Sequence, residues 1–204
     1  MLRKGEDTRQ RILDTAQALI LERGFAGVSV DQIIQSLGLT KGAFFHHFRN
    51  KNDLARTLIQ RYSDQGVELF NRTLTRAKRL SDDPLQQFLI LVGLYEELFE
   101  DLTEPYPGCL LASYVYELQQ FDEETRAIIN IEFELSRREL TALIGAIRQQ
   151  YPPRREVNPQ SLADGFMSVF EGAFILSKSL NEPDITVQQL RHYKTYVELL
   201  FRRD

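Results

Sequence analysis

The sequence predicts an all-α protein, and three observations carry that expectation. Apolar residues recur at spacings of three and four along nearly the whole chain. No stretch alternates apolar and polar residues for more than a few positions, and no Asn-Gly or Asp-Gly hairpin turn joins two such runs. Capping residues and glycine or proline stops punctuate the chain at helical intervals. There are 204 residues, 43% hydrophobic and 26% charged, which suits one domain or two small ones. No internal repeat or low-complexity tract is present.

The elements follow in order. Asp7 with Gln10 three residues on has the form of a capping box. It opens a helix with Ile12, Ala16, Leu19 and Ile20 on one face, ending at Gly24. Ser29 and Gln32 form a second box, opening a helix with Val30, Ile33, Ile34 and Leu37 and a stop at Gly38. Thr40 caps a third helix through Phe48. Asn50, with Asp53 at the third position, caps a fourth from Lys51 to about Leu74. Asp83-Pro84 places a cap before a proline at the first helical position. The fifth helix has Phe88, Leu91, Val92, Tyr95 and Phe99 on its apolar side. After the turn Pro105–Gly108, a short helix is expected from Cys109 to about Gln120. Asp122 caps a long helix with Ile128, Ile131, Leu135, Leu143 and Ile147, stopped by Pro152-Pro153. Asn158-Pro159 opens the eighth, with Phe166, Phe170 and Phe174 at steps of four. Asp184 caps the ninth, where Leu190, Tyr193, Val197 and Leu200 repeat. The expected architecture is an N-terminal three-helix helix-turn-helix unit, residues 1–50, plus a six-helix body, residues 51–204.

Composition excludes several classes. Apolar runs reach about five residues, far short of the roughly 20 needed to cross a bilayer, so no membrane association is expected. The N-terminus turns polar at once, without the pattern of a secretory signal. The single cysteine, Cys109, excludes an internal disulfide and a multi-cysteine zinc site. Three histidines, none in a Glu-x-x-His or His-Glu-x-x-His spacing, give no metal-ligand set, and no nucleophile is paired with a base. A non-enzymatic, cytoplasmic protein with no cofactor is therefore expected. Net charge is −4, yet residues 1–53 hold eight Lys/Arg against six Asp/Glu, so this segment is +2 and the remainder −6. A basic segment on an acidic body points to a local contact with an anion.

Residues 28–48 have the pattern of a helix-turn-helix, with Gly38 permitting the sharp turn. The second helix turns Thr40, Lys41, Gly42, His46 and His47 outward. Such a helix fits the major groove, where its N-terminal residues reach base edges. Phe44 and Phe48 are expected in the core, and Phe45 is open to either placement.

The run Gly38-Leu39-Thr40-Lys41-Gly42-Ala43-Phe44-Phe45-His46-His47-Phe48-Arg49-Asn50-Lys51-Asn52-Asp53-Leu54 resembles the DNA-binding signature of TetR/AcrR-type transcriptional regulators. Gly24-Phe25-Ala26-Gly27-Val28-Ser29-Val30 fits the same pattern, and the likeness spans residues 8–55 without a gap. It implies a homodimer that binds a palindromic double-stranded DNA operator and leaves it when a small-molecule inducer enters the helical body. It also implies dimerisation through the last two helices. The candidate DNA-contacting residues are Ser29, Thr40, Lys41, Gly42, Phe45, His46, His47 and Lys51, with His47 and Lys51 matching phosphate-contacting positions. Three departures stand out: Phe45 where the family has tyrosine, Ile34 where it has alanine, and Asn50 where it has serine.

Gly108-Cys109-Leu110-Leu111, with Glu117 further on, is similar to a subset of these regulators. In that subset Gly-Cys opens the sixth helix, and some members respond to electrophiles, aldehydes or aromatic compounds. A thiol in a first helical turn gains thiolate character from the helix dipole. The other reading of Cys109 is a small core hydrophobe. Phe88, Tyr95, Phe99, Cys109, Tyr114, Phe133 and Phe170 are the candidate ligand-binding residues, suiting a hydrophobic, aromatic or electrophilic inducer; plain core packing is the alternative for each. Tyr95 and Tyr114 carry hydroxyls that orient a ligand when buried. Phe166, Phe170 and Phe174 have a second possible placement, facing a partner copy. The rival to a ligand-responsive repressor is a helical adaptor that has lost DNA binding.

Overall fold

The computed structural model describes residues 4–202. Arg3, counted above in the basic segment, lies outside them. Among the described residues there are nine α-helices, one 3-10 turn and no strand. The helices are α1 (Lys4–Arg23), α2 (Val30–Leu37), α3 (Lys41–His47), α4 (Lys51–Leu80), α5 (Pro84–Phe99), α6 (Leu110–Val115), α7 (Glu123–Gln150), α8 (Pro159–Leu180) and α9 (Ile185–Phe201); the 3-10 turn is Leu118–Gln120.

Most ends form where the caps place them. Ser29, Thr40, Asp83 and Asn158 each accept a backbone N–H three residues on. Asn50 and Asp122 do the same for Asp53 and Thr125. Other ends differ. The first helix already runs from Lys4, so Asp7 lies in its first turn, where an acid complements the helix dipole instead of capping it. α4 extends to Leu80, with Lys78 and Arg79 favourably placed in its last turn. Asp184 makes no side-chain cap, because its own backbone is already helical. α6 stops at Val115, and Glu117 sits outside the helical region at φ −120°, ψ 19°. On α7 the buried row is Ile129, Leu140, Ile144 and Ile147, whereas Ile131 is half exposed. The step from 129 to 140 is three turns, so the apolar stripe lies on a neighbouring row to Ile131.

The chain divides into two compact units. One takes Met1–Gln65 and Cys109–Ile131, the other Gly66–Gly108 and Glu132–Asp204. In the first, α1 packs on α2 and α6, and α2 on α3. Its core holds Ile12, Leu13, Ile20, Ile33, Phe44 and Phe48. In the second, α9 packs against both α5 and α8. Phe88 meets Phe166 and Tyr193 there, and the Tyr193 hydroxyl donates to Leu162 O at 2.5 Å. α4 and α7 are continuous helices that each contribute residues to both units.

Gly38 ends α2 at φ +63°, and a Cβ there would meet nothing within 4 Å. Its replacement therefore carries backbone strain without a clash. Gly38→Ala is expected to cost about 1–2 kcal/mol, the penalty of a left-handed non-glycine residue. Urea denaturation measures it; an unchanged midpoint would contradict this account of the turn.

Candidate DNA-binding face and effector cavity

The geometry of the helix-turn-helix is set by its caps. Ser29 Oγ accepts from Gln32 N–H at 3.2 Å, and Gln32 Oε1 accepts from Ser29 N–H at 2.8 Å. The Gly38 turn follows, and Thr40 Oγ1 accepts from Ala43 N–H at 3.2 Å to start α3. Phe44 and Phe48 bury one side of α3 with their rings 5.7 Å apart. The other side leaves Thr40, Lys41, Gly42, Phe45 and His46 exposed, with Ser29 exposed at the head of α2. Phe45 is 52% exposed and sets its ring at 86° to that of Phe44, so it is a surface residue.

Lys41 pairs with Asp31 of α2 at 2.9 Å, both well exposed. Such a pair is worth at most about 1 kcal/mol, so Asp31 is readily exchanged for another anion. His47 is held below the ordinary histidine range, chiefly by burial and then by the charges of His46 and Arg9. The Arg9 guanidinium lies 5.2 Å from the centre of the Phe48 ring.

Lys51 is more enclosed than its neighbours on this face. Its ammonium donates to Phe25 O and stands 4.0 Å from the centre of the Phe25 ring. Burial lowers its pKa, and Glu117 opposes that shift. An ammonium has three donors, so the bond to Phe25 leaves two for a further acceptor.

The loop between α1 and α2 is clasped from the far side by α6 and the 3-10 turn. Glu117 accepts from Phe25 N–H and Ala26 N–H, both at 2.8 Å. Gln120 donates to the same carboxylate at 2.7 Å. The Phe25 ring contacts Tyr114 and Phe121 at 5.6 and 4.9 Å between centroids. Tyr114 is fully buried, and its hydroxyl has no hydrogen-bond partner among the described residues. Arg56 completes the unit, bonding Asp122 and Glu124 at 2.8 Å each. Cys109 Sγ caps α6, accepting from Ala112 N–H at 3.4 Å.

A cavity of about 80 Å³ lies in the second unit, among α4, α5, α7 and α8. Tyr95, Phe133 and Phe170 line it, as do Phe70, Glu132 and Glu171. Burial pushes the Glu132 carboxyl up to about 7, and the charge of Glu171 adds to the shift. Burial and Glu132 together raise the Tyr95 hydroxyl. Glu132 Oε2 is buried without a hydrogen-bond partner among the described residues.

The structure thus brings three of the sequence-derived ligand candidates together and separates the others. Phe88 and Phe99 belong to the same unit but pack in its aromatic core. Cys109 and Tyr114 belong to the other unit. Phe166, Phe170 and Phe174 contact Tyr95 or Phe99 of α5 within the chain. Sequence reasoning gave Phe25 only as part of a motif and passed over Gly66, Glu132 and Glu171. Glu132 had one signal: an acid four residues from Ile128 and eight from Leu140, on the inner side of a long helix.

Comparison with known proteins places these features in context. Residues 12–58 match the family described as "Bacterial regulatory proteins, tetR family". The transcriptional regulator AcuR of Cereibacter sphaeroides is 26% identical over 165 residues, 81% of this chain and 74% of that protein. The transcriptional repressor DhaR of Mycobacterium sp. strain GP1 is 25% identical over 170 residues, covering 83% and 82% respectively. The crystal structure of AibR with isovaleryl coenzyme A and operator DNA has the same fold, with a TM-score of 0.66 at 24% identity over 95% of this chain and 98% of that one.

Removing the clasp has a local signature. Glu117→Ala leaves the Phe25 and Ala26 N–H groups without their acceptor, at a cost of about 1–2 kcal/mol since solvent reaches part of the site. Hydrogen exchange should quicken at these two amides ahead of the α1 core. Equal protection in the variant would show that the carboxylate does not hold the loop.

Proposed function

The chain belongs to the TetR/AcrR family of transcriptional regulators, and on that footing we propose that it is a ligand-responsive repressor. It binds a palindromic operator as a homodimer in the cytoplasm and is released by a small hydrophobic or aromatic inducer. The observation that carries this reading is α3, packed by Phe44 and Phe48 beneath and exposed along Thr40, Lys41, Gly42, Phe45 and His46 above. DNA binding is assigned to residues 1–50, and ligand binding with dimerisation to residues 51–204. Ser29, Thr40, Lys41 and Gly42 approach bases and backbone at the head of the motif; His47 and Lys51 supply phosphate contacts. AibR, a fold relative whose structure contains both an acyl coenzyme A and operator DNA, supports a two-ligand mode of action.

The homodimer is assigned to α8 and α9. These packed helices expose Ile175, Leu176 and Leu180 on one and Tyr196 and Leu199 on the other, and a two-fold axis would turn four helices toward one another. The two copies of α3 then read half-sites one helical turn apart, roughly 34–36 Å. Inducer entering the cavity displaces α4, and with it the spacing. DNA and inducer must then oppose each other reciprocally in binding free energy.

Fluorescence anisotropy on the upstream intergenic duplex, with a scrambled duplex as control, tests the central reading. A specific complex should weaken with salt at a log–log slope of about −0.9 per neutralised phosphate. Equal, weak binding to both duplexes would overturn it. Leu199→Glu, at a 59% exposed position, should give a monomer by light scattering. It should also lower operator affinity on the order of a hundredfold, through lost bivalency. A variant that stays dimeric would move the interface elsewhere. His47 adds a pH dependence. Its free pKa lies below the ordinary 6.5, and a phosphate partner raises it. Binding therefore takes up a proton, so operator affinity should rise as pH falls below 6.5, and His47→Asn should flatten the profile.

A further inference from the structure

Glu132 is a residue of the second unit that packing does not account for. It lines a cavity of about 80 Å³ walled by the rings of Phe70, Tyr95, Phe133 and Phe170. Its Oε2 is buried without a hydrogen-bond partner among the described residues. An unsatisfied buried acceptor is unfavourable, and an apolar side chain of similar size would fill the space without that penalty. Gly66 on α4 makes the seat for this carboxylate. A Cβ there would come within 2.1 Å of Glu132 Oε1. Glycine is disfavoured against alanine inside a helix, and Gly66 lies in the middle of one. Two unfavourable choices on different helices thus place one carboxyl group at the wall of an aromatic cavity.

We propose that this cavity takes a neutral hydroxyl group carried on an aromatic body, a phenol or a benzylic alcohol, whose O–H donates to Glu132 and whose oxygen accepts from the Tyr95 hydroxyl. The proposal rests on the reading of the cavity as the inducer site, and it narrows that site from aromatic compounds in general to aromatic hydroxyl compounds. Glu132 and Tyr95 are near neighbours, since the carboxylate charge reaches and raises the Tyr95 hydroxyl. A tyrosine hydroxyl donates as well as accepts, so the two side chains offer one acceptor and one donor to a single ligand oxygen. The size suits a small polar end. About 80 Å³ is well under the ~150 Å³ of an apolar cavity that holds benzene, so the hydroxyl end enters while the body extends beyond it.

A hydroxyl also answers Glu132 in either of its states. The carboxyl stands at about 7, so both forms are present at neutral pH. The ionised form only accepts, and the protonated form donates as well. A hydroxyl matches both. An ether has no proton to offer the ionised form, and a hydrocarbon offers neither form a bond. Being neutral, the hydroxyl needs no net charge from the cavity walls.

Isothermal titration calorimetry on the full chain at pH 8 tests this with matched probes. These are 4-methylphenol and benzyl alcohol, their methyl ethers, and the hydrocarbon isosteres 4-xylene and ethylbenzene. At least one hydroxyl probe should bind about tenfold more tightly than both its ether and its isostere, the worth of one hydrogen bond to a charged acceptor. Glu132→Leu should abolish that preference and change the hydrocarbon by less than about twofold; a merely structural role would weaken both probes alike. Gly66→Ala gives a second reading. It removes a helical glycine, so its thermal midpoint should hold or rise, yet it displaces the carboxylate and should erode the same preference. Ethers or isosteres that bind as well as the hydroxyl probes, or a preference that survives both substitutions, overturn the hydroxyl assignment and leave the cavity as an inducer site. Failure of all six probes to bind overturns both readings.

Discussion

The structure turns on the seat of one side chain, Phe25. Its ring lies against Tyr114 and Phe121, its N–H is held by Glu117, and its carbonyl and ring face are occupied by Lys51. The reason is size. A helix-turn-helix of about fifty residues has too little interior to fix its own geometry well. Residues 109–131 supply the missing wall, which is why they group with the N-terminal helices although nearly sixty positions separate them in sequence. Apolar contact alone would allow the ring to slide. The two N–H bonds to one carboxylate give the loop a direction, and Lys51 beside that carboxylate keeps charge balanced.

The second unit answers a different physical problem. Its aromatic core from Phe88 through Phe166 to Tyr193 is closed, and the Tyr193 hydroxyl finds Leu162 O. Tyr95 and Phe170 continue the same ladder of rings, yet beyond them stand Glu132 and Glu171. A core selected for stability alone does not place acids there, since each must be paired, protonated or left at a cost. Glu96 in the same unit is buried and bonded to Arg191 at 3.3 Å, with Lys194 at 3.6 Å. Glu132 Oε2 is buried with no hydrogen-bond partner among the described residues.

What was legible in the sequence was local. The Ser29–Gln32 box, Thr40, Asp83-Pro84 and Asn158-Pro159 fix helix starts through bonds spanning three residues, and each forms. Periodicity identified the buried face of α3, and Phe44 and Phe48 lie on it. Tertiary placement was not legible. Tyr95 and Tyr114 look alike in sequence, both aromatic residues with a hydroxyl on an apolar helix face. One lines the cavity and the other packs on Phe25, because α6 joins the first unit. Glu117 was visible only as part of a motif. Its partners lie 91 and 92 positions away, a relation that spacing does not encode. The Gly66–Glu132 fit spans 66 residues and was invisible for the same reason.

The energies involved bear on how an inducer could act. Coupling between two sites typically amounts to about 1–3 kcal/mol. A shift of one pKa unit at one carboxylate corresponds to about 1.4 kcal/mol, so a change in the charge state of Glu132 is on that scale. Under the proposed function, two continuous helices offer the path. α7 carries Glu132 in one unit and Glu124, a partner of Arg56, in the other; α4 carries Gly66 in one and Lys51 and Arg56 in the other. Both are single continuous helices, of 30 and 28 residues. Under the proposed function, a carboxylate pressed against Gly66 is well placed to bear on α4 when its charge state changes. Lys51 and Arg56, on the same helix, contact the loop and the α7 start that hold the helix-turn-helix in shape.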